Sequence, residues 1–460
     1  MSSAQAHVES LLAAMAIAAF RQPPQDLFDL AAVRMADCVG VAVAGRREEP
    51  VMALAASLDD GATNRNLART LLSERLVHWR AAATVNGTAA HFHDYDDDDP
   101  LASVGHPSVT ALAASLAVAD ALGSSGSDLV AAYICGVETT MRIGMTVNPD
   151  HYNAGWHATA TLGVFGATVA SGLLMALSEE ELANALCIAA SFCSGIKSNF
   201  GGDLKPLQVG NAAGNGLWAA ELSQRGVKAA AGAAFGKSGV LAMMGGGAID
   251  ESVIAAFGAP WCLTNPGVNI KLYPCCSSSH TAIDAVLELM DQNGLSASDL
   301  KRIDVWVGKD VPNILIYDIP TTGLEGKFSL RYSVAAAAYG NGLSLSDFTN
   351  AALDRAGLRD LVNRTYQHVD PTFVPYGASG VTHQARVRIE TTAGGVAEQT
   401  VLDPLGSTAR PVSKLRVREK FLSCTSAVLG SSHADTAFTA WIEPASAASA
   451  RRLIDTLGCA

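Results

Sequence analysis

A chain of 460 residues is longer than one hydrophobic core ordinarily supports, so two domains are expected. Apolar residues make up 49% and charged residues 17%, which excludes a disordered or heavily solvated chain. A formal net charge of −12 without a basic cluster argues against nucleic acid and anionic membrane as partners, while leaving room for a few focused lysines that capture a small anion.

The N-terminal stretch to Phe20 carries Glu9 and no basic leader region, so it reads as a first amphipathic helix and not as a secretory signal. Up to about residue 265 the apolar spacing is helical, with helices expected over Val109–Leu122, Asp128–Arg142, Glu179–Ala190 and Asn211–Gln224. Ser127 is the expected cap of the second of these and Ser178 of the third, where three glutamates follow. No strand-like alternation of any length stands out here, and the many Gly and Ala residues suggest tightly packed helices. Residues 158–177 are uncharged, long enough to span a bilayer. Their Ala, Thr, Gly and Ser content and lack of basic flanks favour a buried core helix.

The texture changes near Pro266. Arg302–Gly308 and Gln384–Glu390 alternate and are rich in β-branched residues, and Ala397–Leu402 completes a hairpin after a Gly-Gly turn. Helices are expected at Ser277–Asn293, Ser333–Asn341 and Ala351–Asn363, and again at Ser413–Leu422 and Ser446–Leu457. The fold class is therefore mainly α: a large all-α helical domain (1–267 and 406–460) with an inserted smaller α+β lid domain (268–405). Nine cysteines show no CxxC pair or regular framework, which fits a reducing, cytoplasmic setting better than a disulfide scaffold or zinc module.

Six of the eleven histidines fall in three short segments. The first runs from Asn86 through His91, His93, Asp94 and Asp96–Asp99 to His106. Five aspartates in six positions repel one another unless cations or water relieve them, so a solvated loop or helix start is the ordinary reading. Clustered Asp and His also suit a divalent metal, but the spaced DxDxDG pattern is absent. In the second, His157 stands ahead of the Thr-rich uncharged helix, where a neutral imidazole is favoured; a capping or core histidine is the bland alternative. The third, Lys271 to His280, lies at the domain junction, where clefts form. A fourth segment has Gly201 and Gly202 before Lys205, placed ahead of a helix that attracts anions; a plain surface loop fits as well. The phosphate-loop and dinucleotide fingerprints are missing, as are the GxSxG and SxxK motifs.

Taken together, NGTAAHFHDYDDDD…HPS, the Gly136–Gly144 stretch, His157-Ala-Thr-Ala-Thr, Lys205-Pro…Gly210-Asn-Ala-Ala, Lys271-Leu-Tyr-Pro-Cys-Cys…His280 and Phe328-Ser-Leu-Arg-Tyr332 resemble the MmgE/PrpD family over nearly the whole chain. The resemblance implies a helical domain with an α/β lid, a site between the two, no metal or organic cofactor, and a homodimer. It implies catalytic roles for Asp94, His106, His157 and Tyr332, and substrate binding by Lys205 and Lys271, with Asp98 and His280 as further substrate-facing candidates. Asp98 departs from the threonine common in the family, and Asp203-Leu204 replaces a Thr-containing pair before Lys205.

The chemistry so implied is proton transfer beside a carboxylate of a small di- or tricarboxylic acid. His106, oriented by Asp94, is the expected general acid/base, and the two lysines stabilise the enediolate. His157 and Tyr332 are expected to handle the second proton. Dehydration of a 2-methylcitrate-like hydroxy acid is the leading expectation, on the breadth of that activity in the family. Epimerisation of an iminodisuccinate-like substrate and cis-aconitate-type decarboxylation fit the same residues. Outside the family, a metal-dependent hydrolase or a non-catalytic scaffold are the rivals.

Overall fold

The computed structural model describes residues 7–58, 66–72, 75–375 and 381–458. Helices Phe28–Gly45, Trp79–Phe92, Pro107–Leu122, Gly126–Val147, Gly163–Leu174 and Leu204–Gln224 pack against one another as the body of the molecule. The sequence permits this density because the crossings are lined by small residues. At the crossing of Gly126–Val147 with Gly163–Leu174, a Cβ on Gly166 would lie 2.6 Å from the carbonyl oxygen of Gly136. Only glycine lets these two backbones touch. The C-terminal helices return to this body: Lys414–Leu429 packs on Phe28–Gly45, and Ala450–Asp455 on Pro107–Leu122.

The uncharged stretch after His157 is a core element. It is split into Ala158–Thr161 and Gly163–Leu174, both buried, and among the described residues no helix is long and apolar enough to cross a membrane.

The α+β portion is built on a four-stranded sheet with strand order Thr365–Val369, Leu300–Val307, Ala385–Thr391, Val396–Val401. The first pair is parallel and the other two antiparallel, with Val305 opposite Val387 and Ala385 opposite Val401. Alternation from Ile303 to Val307 buries Ile303, Val305 and Val307 in one core with side chains of helices His280–Asn293 and Leu330–Gly340.

Most expected elements are present, with ends shifted by up to seven residues, as at Leu204–Gln224 and Lys414–Leu429, and four details differ. Ser125, not Ser127, caps Gly126–Val147, its hydroxyl accepting from the Asp128 amide at 3.0 Å. Lys205 does not precede a helix but sits in the first turn of Leu204–Gln224. The expected Ala351–Asn363 helix breaks into Asn350–Leu353 and Ala356–Asn363. Three strands escaped the alternation test because they are short or at an edge: the three-residue pair Leu67–Arg69 and Leu76–His78, and Thr365–Val369, whose outward side chains leave no apolar rhythm.

Candidate active site

The aspartate run is not a solvated loop. Asp94, Asp96, Asp97, Asp98 and Asp99 are all 5% exposed or less, and each has its own arrangement of partners. Helix Trp79–Phe92 ends at His91-Phe92, and the chain reverses through Asp94, held at φ 52°, a conformation costly for most side chains and more accessible to Asp. Asp99 then stitches the turn: its carboxylate accepts from the amides of Leu101, Ala102 and Ser103 at 3.0, 2.9 and 2.6 Å. Asp97 accepts from the Ser108 hydroxyl, which in turn meets Tyr133 Oη at 2.5 Å. With the turn fixed, His106 becomes the residue before Pro107 at the start of the next helix, and its ring is brought back over His91, centroids 4.5 Å apart.

Asp94 is the hub. Its Oδ1 accepts from Lys205 Nζ at 2.8 Å, and its Oδ2 lies 3.3 Å from Lys271 Nζ, which also donates to the Asp94 carbonyl. His106 Nε2 is 3.4 Å from the same carboxylate. Burial alone would raise the Asp94 pKa, but the two lysines reverse this and hold the carboxyl well below the usual range. Lys271 shows the reciprocal balance: burial pulls its pKa down, and Asp94 and Asp98 more than offset this, so it stays above its ordinary value. On the far side of His106, Nδ1 is 3.3 Å from Asp96 Oδ2. Both ring nitrogens therefore face carboxylates that can receive a proton's hydrogen bond.

His157 has the neutral character expected beside a helix start, chiefly because burial, reinforced by Lys205, lowers its pKa far below the ordinary value. Its Nδ1 lies 2.7 Å from Gln208 Oε1, while Gln208 Nε2 donates to the Ile196 carbonyl. That second bond fixes the amide orientation, so the imidazole proton sits on Nδ1 and the buried Nε2 lone pair has no protein partner. Asp94, Asp98, His106, His157, Lys205, Phe200, Phe328 and Cys276–Ser278 line one narrow cleft where the helical body meets the α+β portion. Gly201 at φ 82° lets the loop before Lys205 lie against Tyr317, whose hydroxyl donates to the Phe200 carbonyl at 2.9 Å; a Cβ there would come within 2.5 Å of the tyrosine ring.

Three expected site residues do not line the cleft: Lys271 is buried behind Asp94, and two others point elsewhere. Tyr332 donates to the Asp347 carbonyl and packs edge-on against Phe348, inside the core of the α+β portion, so its hydroxyl is already committed and does not line the cleft. His280 stacks edge-on against Tyr273 with Nε2 3.1 Å from the Cys275 carbonyl, and burial drives its pKa down to about 3. It serves the helix start and also stays out of the cleft. Asp98 does line it, beside Ser277, with its pKa raised by burial.

The structure adds residues that motif reading left without a role. His91 bridges Asp96 and Lys205, and Gln208 orients His157. Gln208 was within reach of a periodicity argument, since it is three residues beyond Lys205 and so shares its helix face. His383, also lining the cleft, carried no sequence signal, since it arrives from a distant loop.

Among the described residues, His91, Asp96 and His106 form a group whose donor atoms lie within 4.8 Å of one another. The donor set does not favour a divalent ion: His91 Nδ1 is engaged by Asp96, and its Nε2 is 2.6 Å from the Lys205 ammonium. A cation there would face the lysine's charge directly.

The sequence is similar to known families and proteins. Residues 9–252 match the MmgE/PrpD N-terminal domain and residues 273–440 the MmgE/PrpD C-terminal domain. The chain is 28% identical to the cis-aconitate decarboxylase of Aspergillus terreus over 383 residues, covering 76% of this chain and 75% of that protein. It is 28% identical to the Homo sapiens cis-aconitate decarboxylase over 312 residues, covering 64% and 62% of the two chains. The Mus musculus enzyme of that name is 25% identical over 367 residues, with 76% and 72% covered. With both domain families matched in order across most of its length, the chain belongs to the MmgE/PrpD family.

Proposed function

We propose that this protein is a lyase that removes CO2 from cis-aconitate or a closely similar unsaturated tricarboxylate. The observation that carries the reading is the convergence of Lys205 and Lys271 on Asp94 beside His106, in a cleft that also holds the unpaired Nε2 of His157. Two buried ammonium groups suit a substrate with several carboxylates. The relatives named above support decarboxylation over the dehydration expected from family breadth.

The chemistry asks little more than these groups supply. As the C–C bond to CO2 breaks, its electron pair moves through the neighbouring double bond to the carbon beside another carboxylate, where a dienolate forms. Lys205 and Lys271 stabilise that charge in a water-poor site. His106, with a carboxylate facing each ring nitrogen, delivers the proton to that carbon. Dehydration would further require an acid at a departing hydroxyl. Of His157 and Tyr332, the two residues expected for that task, Tyr332 is spent on Asp347. A second reading, dehydration of a 2-methylcitrate-like acid or epimerisation, keeps support from the pairing of His106 with His157 in one cleft.

The test is a panel of cis-aconitate, citrate, 2-methylcitrate and iminodisuccinate, read by thermal shift and by CO2 release. A ligand at about 100 times its Kd stabilises by about 2.7 kcal/mol, which a melting curve resolves. CO2 from cis-aconitate is the expected result. Water loss from 2-methylcitrate without CO2 from cis-aconitate would replace this reading with the dehydratase one.

A further inference from the structure

Lys205 is held by two different acceptors. One is the Asp94 carboxylate at 2.8 Å; the other is His91 Nε2 at 2.6 Å. His91 is fully buried, and its Nδ1 lies 2.9 Å from Asp96 Oδ2. A carboxylate can only accept at this distance from an N–H, so the His91 proton sits on Nδ1 and the lone pair on Nε2 receives the lysine. Burial, the largest influence on this ring, lowers its pKa to about 4 and keeps it neutral.

We propose that His91, oriented by Asp96, is a positioning residue that aims the remaining N–H of Lys205 into the cleft at a substrate carboxylate. An ammonium has three donors; with two engaged, the tetrahedral nitrogen fixes the direction of the third. One anchor alone would leave the long lysine side chain free to turn about that contact. The choice of a neutral imidazole matters as much as its position. A second carboxylate would hold Lys205 equally well but would cancel the charge that the substrate must meet. Asp96 reaches His106 Nδ1 as well, so a single buried carboxylate sets the orientation of both imidazoles. The Phe200 and Phe328 rings, 5.4 and 5.6 Å from Lys205 Nζ, wall the same ammonium from the other sides.

The inference rests on the reading of Lys205 as a carboxylate-binding residue, and the experiment separates the two. Steady-state kinetics with cis-aconitate are compared for Lys205→Met, His91→Asn and His91→Gln. An Asn amide reaches only the Nδ1 position: it keeps Asp96 and abandons Lys205. A Gln amide oxygen reaches the Nε2 position and keeps Lys205. His91→Asn is expected to raise KM about tenfold, the scale of a lost hydrogen bond to a charged group, and to lower kcat by a smaller factor. His91→Gln is expected to raise KM less than threefold. Equal effects from the two amides, or no KM change in either while Lys205→Met raises it, overturn the positioning role. An unchanged KM in Lys205→Met overturns the carboxylate-binding reading, and the inference with it. If His91→Asn does not fold, His91→Ser, which vacates both contacts without bulk, carries the same expectation against His91→Gln.

Discussion

The strand Leu300–Val307 and the segment Asp94–Asp99 are both rich in charge and treat it in opposite ways. In the strand, alternation sends Arg302 to the surface, where it meets Asp304 at 2.6 Å with 44% of its side chain exposed, while apolar neighbours fill the core. In the aspartate segment nothing alternates; every carboxylate is buried, and those of Asp94, Asp96, Asp97 and Asp99 are each matched to a named donor or cation. Surface charge is tolerant because water replaces any lost partner. Buried charge is unforgiving, since each partner is the other's only solvent. That difference is why the candidate site is sought in the helical body and at its junction, and not on the sheet.

The largest effect expected from breaking this contrast is on turnover. His106→Ala should lower kcat by about 10² to 10⁴-fold with the fold intact by circular dichroism, the usual yield of a positioned acid or base. Next is Asp94→Asn, which leaves Lys205 and Lys271 facing an amide. Chemical denaturation should show a loss of about 3–5 kcal/mol, the cost of an uncompensated buried charge.

A smaller effect separates the cleft from the core of the α+β portion. His280 has a pKa lowered from 6.5 to about 3, so the fold holds it neutral while the unfolded chain binds a proton below pH 6.5. Its contribution to stability is whole above pH 6.5 and is lost as the pH falls toward 3. His280→Gln should therefore flatten the acid limb of the stability profile by about 1 kcal/mol per pH unit between 6 and 4, measured as a denaturation midpoint series. A variant as steep as wild type would refute a neutral buried role. Smallest of all, Lys301→Gln, which removes a 2.6 Å pair with Glu390 on the same strand's wet face, should change stability by less than about 1 kcal/mol, as exposed pairs do, and leave kinetics untouched.

The two regions also differed in how far sequence reading could go. Period-two alternation identified Leu300–Val307 and the Ala385–Val401 hairpin because one face of each strand is buried and the other wet. The motifs located Asp94, His106, His157 and Lys205, which the fold brings together around one cleft, and Lys271, which it buries behind Asp94. Charge density misled where it was strongest: five neighbouring aspartates look solvated unless the donors that bury them are known, and those donors come from residues as distant as Ser108, Lys205 and Lys271. Tyr332 and His280 fell within matching motifs, yet their hydrogen bonds to the Asp347 and Cys275 carbonyls turn them away from the cleft. A motif specifies neighbours in the chain; only packing decides which way a side chain faces.

The central claim is that this cleft protonates a carbanion left by CO2. Turnover of cis-aconitate in D2O, followed by NMR, tests it most directly. The account predicts 2-methylenesuccinate carrying one deuterium on the carbon beside a carboxylate, and none of this product from His106→Ala. Unchanged cis-aconitate with the wild-type protein, or labelled product formed at the wild-type rate by His106→Ala, would contradict it.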